Sequence, residues 1–357
     1  MYTDLIPDSM TPKERMNAFL QGKPYDRIPF NASMGDHASR VIGIKVSEYH
    51  SSAAKMVEAQ IAAYKTYKLD SVGAGGGHSV VAEAVGSKME FPDYSTAFVK
   101  EFAIKEISDL KNLEIPDPHK KGRLPIFLEA LEILVDKVGA EAPVATNLGG
   151  PMSMAYSLRG AENLMKDLYS NPEFVHELLD FCVKSTIPYV KEVAKLGVGI
   201  GIVDPVSSGS LMSHQLFKEF SFPHLKDLIT EIKKVTNPPV LHICGKTKKI
   251  IHYMADTGAG MLSLDNSLDL DYVKQEVGHK IGISGNIRPA ETMYLGTPET
   301  VEQNVKECLR KGYDSPKGYI LAMGCELPIK TPPQNVHALS AAVRKYGQYP
   351  YKPELFN

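Results

Sequence analysis

His242 and Cys244 stand two residues apart in Leu241-His242-Ile243-Cys244-Gly245. In an extended chain, residues two apart point to the same side. An imidazole and a thiol would therefore converge at the end of this apolar run. A second thiol, Cys325, closes another apolar run in Met323-Gly324-Cys325-Glu326. One His and two thiolates suit Zn²⁺, a borderline-soft ion. Three protein ligands leave a fourth position open, the pattern of a catalytic rather than a structural site. The long gap between Cys244 and Cys325 disfavours a compact zinc knuckle. On spacing alone the plain alternative stays open, because a buried Cys is usually a small hydrophobe and a nearby His arises by chance.

Other chemistry-bearing residues stand where apolar runs end: Asp36, His78, Asn147, Asp204, Asp265 and Asn286. His78 follows Gly75-Gly76-Gly77, which lets a ligand approach closely; the spacing is not that of a phosphate loop. Asp204, before Pro205, is placed to orient a metal ligand or hold substrate. His78 and Asn147 are expected to line the mouth. For Asp36, Asn147, Asp265 and Asn286 a turn or cap role competes with a pocket role. Lys246, Lys248 and Lys249 read as a solvated face, with anion binding as the rival. Cys182 and Cys308 fall within helical patterns and read as structural.

These positions need elements to hold them. Eight short apolar runs occur, at 28–33, 71–75, 144–148, 198–203, 240–243, 260–264, 281–284 and 319–323. Each suits a strand buried on both faces. Helical patterns lie between them, at 125–138, 172–196, 213–235 and 297–311. Asn171-Pro172 and Thr297-Pro298 open two of these with a cap residue and Pro at the first position. Alternating strand and helix implies parallel strands. Eight in series predict an α/β fold, a (β/α)8 TIM-type barrel formed by one domain over 1–357, with its chemistry at the C-terminal strand ends. A capping box in Thr11-Pro12-Lys13-Glu14 starts an N-terminal helical extension over 11–22. Residues 88–101 read as an insertion after the second strand, in the form of a hairpin. Residues 348–357 read as a surface tail.

Composition narrows the class. The 357 residues carry 40 Lys+Arg against 42 Asp+Glu and are 43% hydrophobic. That balance excludes a disordered chain and disfavours a nucleic-acid binder. No apolar run is long enough to span a bilayer. Residues 1–10 lack the features of a signal peptide. Four cysteines in such a length argue against a disulfide framework and for a reducing compartment. The expected location is cytoplasmic. No Gly-x-Ser-x-Gly elbow supports an α/β-hydrolase.

Beyond these readings, the chain resembles the uroporphyrinogen decarboxylase superfamily, and within it the cobalamin-dependent methyltransferase branch. The residues that carry the likeness run over nearly the whole length. They are Gly122-Arg123-Leu124-Pro125, Gly149-Gly150-Pro151-Met152, Asp204-Pro205-Val206, LHICG at 241–245, Ser284-Gly285-Asn286-Ile287, and MGCELPIKTPPQNVHAL at 323–339. The resemblance implies a (β/α)8 barrel with His242, Cys244 and Cys325 as zinc ligands. The decarboxylases carry an RQAGR motif where this chain has Met34 to Arg40. They carry a central Asp where it has Gly76-Gly77-His78, and they lack the zinc trio. Porphyrinogen decarboxylation is therefore not expected. Glu326, directly after Cys325, is placed to shape an acceptor pocket or to lie at the surface.

The function so implied is methyl transfer between a corrinoid, supplied by a separate carrier protein, and a small nucleophile. A thiol is the expected nucleophile, activated as a zinc thiolate. The reverse reading is demethylation of a methyl ether or similar donor onto Co(I) corrinoid, with zinc as Lewis acid. From other classes, a non-catalytic zinc-binding barrel and a decarboxylase-like lyase are the rivals. The partners expected are the corrinoid carrier protein and a small-molecule methyl donor or acceptor, without nucleic acid or membrane.

Overall fold

The structure, a computed structural model, describes residues 5–356. The reading of residues 1–10 as lacking a signal peptide rests partly on residues 1–4, outside the described residues, as does the end of the tail at residue 357.

All eight expected strands form, and they pair in parallel in one curled sheet. They are β1 (Phe30–Asn31), β2 (Val72–Gly73), β5 (Val144–Gly149), β6 (Gly199–Val203), β7 (Val240–Ile243), β8 (Met261–Leu264), β9 (Gly282–Ile287) and β10 (Tyr319–Met323). The intervening β3 (Lys88–Glu90) and β4 (Phe98–Glu101) make the expected antiparallel hairpin, placed after the helix Val80–Val85. The order around the sheet is β1-β10-β9-β8-β7-β6-β5-β2, so the architecture is TIM-like. The helix Pro12–Leu20 precedes it, with its capping box in place.

Alternation along the strands sorts the side chains. Ile202, Leu241, Ile243, Leu262, Leu264 and Ile283 are buried on the face turned to the helices. Each such burial is worth about 2 kcal/mol. The opposite face carries Gly201, Val203, His242 and Ser263, all half-buried. A packed barrel fills this face with branched apolar layers. Here small and polar residues leave it open to water on the side of β6 to β8.

The ladder of the barrel has one gap. Among the described residues β1 and β2, two residues each, carry no ladder to one another. A side chain bridges that seam instead: the Phe30 N–H donates to Asp70 Oδ2 at 2.9 Å. The same carboxylate accepts from Arg27 Nη1 and Nη2, both at 2.7 Å, and from Arg15 Nη1 at 2.9 Å. Asp8 and Asp26 complete the pairing of these arginines, and Arg344 joins through Asp8. Three guanidinium groups thus meet three carboxylates at the N-terminal end of the sheet. Paired and hydrogen-bonded, they satisfy what burial would otherwise penalise.

Two expectations need correction and a third is refined. The helix expected over 213–235 runs as His214–Leu216, a π-turn at Phe217–Ser221, and Phe222–Lys233. Pro223 has no N–H to give to the carbonyl of residue 219, and the wider turn absorbs the missing bond. Asn171 does not cap its helix through its side chain; its amide donates to Asp167 Oδ1 at 2.9 Å. The tail lies at the surface as expected, and it is pinned there. Tyr349 N donates to Asp26 O at 2.9 Å, the hydroxyls of Tyr25 and Tyr351 lie 2.6 Å apart, and Phe356 is buried against Tyr313. Phe356 is buried and Tyr351 half-buried, while Tyr349 stays exposed.

Candidate metal centre

His242 lies in β7 and Cys244 just beyond its end; Cys325 lies just beyond β10. The fold brings the three donor atoms within 4.8 Å of one another. A tetrahedral zinc, with bonds of about 2.0–2.3 Å, needs donors roughly 3.5–4 Å apart, so small rotamer shifts suffice.

Register explains how His242 is aimed. Val203, His242, Ser263 and Ser284 are consecutive partners across β6, β7, β8 and β9, and so share a face. Ser263 is therefore the lateral neighbour of His242. Its carbonyl and its hydroxyl both lie 3.1 Å from His242 Nδ1. A proton on Nδ1 satisfies the carbonyl and leaves the Nε2 lone pair free. Nε2 is buried and has no hydrogen-bond partner. A buried polar atom left unpaired is costly, and a metal ion is what such a donor set would satisfy.

The two thiols act as a pair. Its pairing with Cys244, and then the nearby His242 ring, hold Cys325 well below the ordinary thiol range. The same pairing, followed by burial, pushes Cys244 up. The pairing thus moves the two thiols in opposite directions. By contrast burial pushes Cys308 up to about 12 and Cys182 well up, which leaves both as inert thiols.

Both ligand turns depend on glycine. Gly245 has φ +75°, and a Cβ there would fall 2.6 Å from Ser210 Oγ and 2.7 Å from Ser208 Oγ. At Gly324 a Cβ would fall 2.7 Å from Asn266 N. The Gly324 N–H donates to Ile287 O at 2.8 Å.

The other expected site residues sit apart from the trio. Asn147 pairs with Gly201, one layer beneath His242 on the same face, and is exposed. His78 lies in the turn Gly77–Ser79, its backbone against Gly149; burial lowers its pKa and keeps it neutral. Asp204 is fully buried and faces a helix start. It accepts from Ser153 N at 2.7 Å, Ser153 Oγ at 2.5 Å and Ser207 Oγ at 2.7 Å. Burial raises its pKa, with those bonds acting against the rise. Its link to the trio runs through the backbone: Asp204 N donates to His242 O at 2.9 Å. The lysines 246, 248 and 249 are exposed, and Lys248 Nζ lies 4.4 Å from the Tyr272 ring centroid.

Two neighbours of the trio were not singled out as a unit from the sequence. Asp36 Oδ1 lies 2.7 Å from His50 Nε2, and Arg123 Nη1 donates to His50 Nδ1 at 3.2 Å. Glu326 is exposed at its edge, but its carboxylate folds back over Gly35 beside Asp36. Burial of that carboxylate, then the Asp36 charge, raises it to about 7. Ser263 also went unnoticed; a polar residue at the inward position of β8 was the available signal.

The comparisons agree with this architecture. Residues 11–346 match the family model for uroporphyrinogen decarboxylase (URO-D), and the chain belongs to that family. Within it, the chain is 30% identical over 345 residues to the Methylcobamide:CoM methyltransferase MtaA of Methanosarcina barkeri, covering 94% of this chain and 98% of that one. It is 28% identical over 341 residues to the Methylcobamide:CoM methyltransferase MtbA of Methanosarcina acetivorans, at the same coverages. The uroporphyrinogen decarboxylase of Wigglesworthia glossinidia brevipalpis is 28% identical but over 263 residues, 71% of each chain. A solved methyltransferase from Methanosarcina mazei superposes with a TM-score of 0.86 at 28% identity, covering 95% of this chain and 99% of that one.

Proposed function

We propose that the chain is a zinc-dependent methyltransferase that moves a methyl group between a corrinoid on a partner protein and a small thiol. The observation that carries this is the convergence of His242 Nε2, Cys244 and Cys325 with Nε2 buried and unpartnered. The near full-length likeness to methylcobamide:CoM methyltransferases supports the corrinoid and the thiol. No helix among the described residues is long and apolar enough to cross a membrane. Thiol ligands suit a reducing compartment, and we place the enzyme in the cytoplasm.

The chain's own residues do the following work. Ser263 fixes the tautomer of His242, so that Nε2 faces the two sulfurs. Cys325, the thiol held low, is the readier ligand, and Cys244 would give up its proton when the site is filled. Zn²⁺ held by the trio would lower the pKa of an incoming thiol and keep it ionised at neutral pH. Gly201, with no side chain, lets the Asn147 amide lie across the layer beneath His242, where it can meet a small acceptor. The methylated corrinoid is the second substrate. The acceptor sulfur forms a bond to the methyl carbon, the carbon–cobalt bond breaks, and its electron pair stays on cobalt.

The test is methylcob(III)alamin consumption with a panel of small thiols, alongside zinc content. The wild type should hold about one zinc per chain and turn over. His242→Ala, Cys244→Ser and Cys325→Ser should lose both. Turnover that survives these changes would overturn the proposal. Activity confined to a methylated donor with Co(I) would reverse its direction.

A further inference from the structure

The turn 265–268 touches both cysteine-bearing turns. Ser267 Oγ donates to Gly245 O at 2.9 Å, next to Cys244. Asn266 lies flat against Gly324, next to Cys325, with no room for a Cβ between them. The turn itself is closed by Ser267 N to Asp265 Oδ1 at 2.7 Å and Leu268 N to Asp265 O at 3.1 Å. Asn286, buried in β9, then clamps it from below. Its Nδ2 donates to Asp265 O at 3.0 Å and to Leu268 O at 2.7 Å. Cys308, in the helix Pro298–Gly312, has its Sγ 3.8 Å from Asn286 Oδ1.

We infer that Asn286 and Ser267 are positioning residues for the metal: through the turn 265–268 they set the spacing of Cys244 and Cys325. This rests on the proposed zinc site. The physical reason is that the two cysteines come from strands that are not adjacent. β8 and β9 lie between β7 and β10, so neither ladder fixes the sulfur–sulfur distance. The turn that follows β8 spans that gap, and Asn286 is the side chain that keeps it from moving as a hinge. Groups that orient ligands from behind typically contribute about 10–100-fold in metal affinity. The inference also gives the Ser284-Gly285-Asn286-Ile287 stretch a task that the methyl-transfer chemistry alone does not require.

The experiment is zinc affinity by chelator competition, with the visible spectrum of the Co²⁺-substituted protein and the thermal midpoint of the metal-free form. Three variants are compared with the wild type: Asn286→Ala, Ser267→Ala and Asn335→Ala. Asn335 is buried and holds the carbonyls of Met293 and Gly296, so its loss is structural and away from the turn. Asn286→Ala should weaken zinc about 10–100-fold and Ser267→Ala roughly 3–10-fold, both with altered cobalt bands. Asn335→Ala should lower the midpoint and leave affinity and bands unchanged. Ser267 is exposed, so that variant folds even if Asn286→Ala does not. If both turn variants bind zinc and cobalt like the wild type, the inference is wrong while the zinc site stands. If the wild type itself binds no zinc through the trio, the proposed function falls and the inference with it.

Discussion

His242 Nδ1 lies 3.1 Å from the carbonyl oxygen of Ser263, and this contact decides which nitrogen is left for a metal. A backbone carbonyl only accepts, so a proton on Nδ1 satisfies it and leaves Nε2 for a metal. Ser263→Ala keeps the carbonyl and removes only the hydroxyl. It should weaken zinc by less than about tenfold. His242→Ala removes the ligand itself and should abolish stoichiometric binding. Equilibrium dialysis against a zinc buffer measures both.

Proton counting gives a second prediction. The pairing lowers Cys325 and raises Cys244, so in the metal-free protein the two share roughly one proton. Zinc binding near pH 7 should therefore release about one proton per chain, that of Cys244. Affinity should fall as pH is lowered, because protons then compete with zinc for the ligand atoms. Calorimetric titration in buffers of different ionisation enthalpy reads the number. Release of two protons, or of none, would contradict the pairing of the thiols.

Glu326 carries a pH dependence of the opposite sort. Burial, then Asp36, raises its pKa to about 7 from the ordinary 4.5 of a free glutamate. The folded state therefore holds that proton more tightly than the unfolded one. Its contribution is fully present below pH 4.5 and is lost progressively as pH rises to about 7. Glu326→Gln removes that loss. The variant should melt higher than the wild type at pH 8 and gain less at pH 5. Equal shifts at both pH values would contradict the placement of this carboxylate over Gly35.

The seam between β1 and β2 is carried by Asp70. Asp70→Ala leaves Arg27 and Arg15 buried with fewer partners and removes the acceptor for Phe30 N. A loss of about 3–5 kcal/mol is expected, read by denaturant unfolding. Zinc affinity of the fraction that stays folded should not change, since the network is at the other end of the sheet.

Much of this molecule was legible in the sequence, and the failures have identifiable causes. The eight strands announced themselves because strands buried on both faces are continuous apolar runs. The trio was legible because the two-residue period places His242 and Cys244 on one side. Asp204 was read for its strand-end position, yet it caps a helix start; position alone does not say which way a carboxylate turns. Ser153 and Ser207, which capture it, are distant or unremarkable in sequence. The bracing turn was invisible for a similar reason. Its partners Gly245, Gly324 and Asn286 come from three different strand ends, and only register brings them together.

The most direct test of the central claim is zinc K-edge X-ray absorption of the zinc-loaded chain, with and without a small thiol. The account predicts two sulfur neighbours at about 2.3 Å, one imidazole nitrogen and one further light atom, changing to three sulfurs when thiol is added. A saturated set of four protein ligands that ignores added thiol would contradict it.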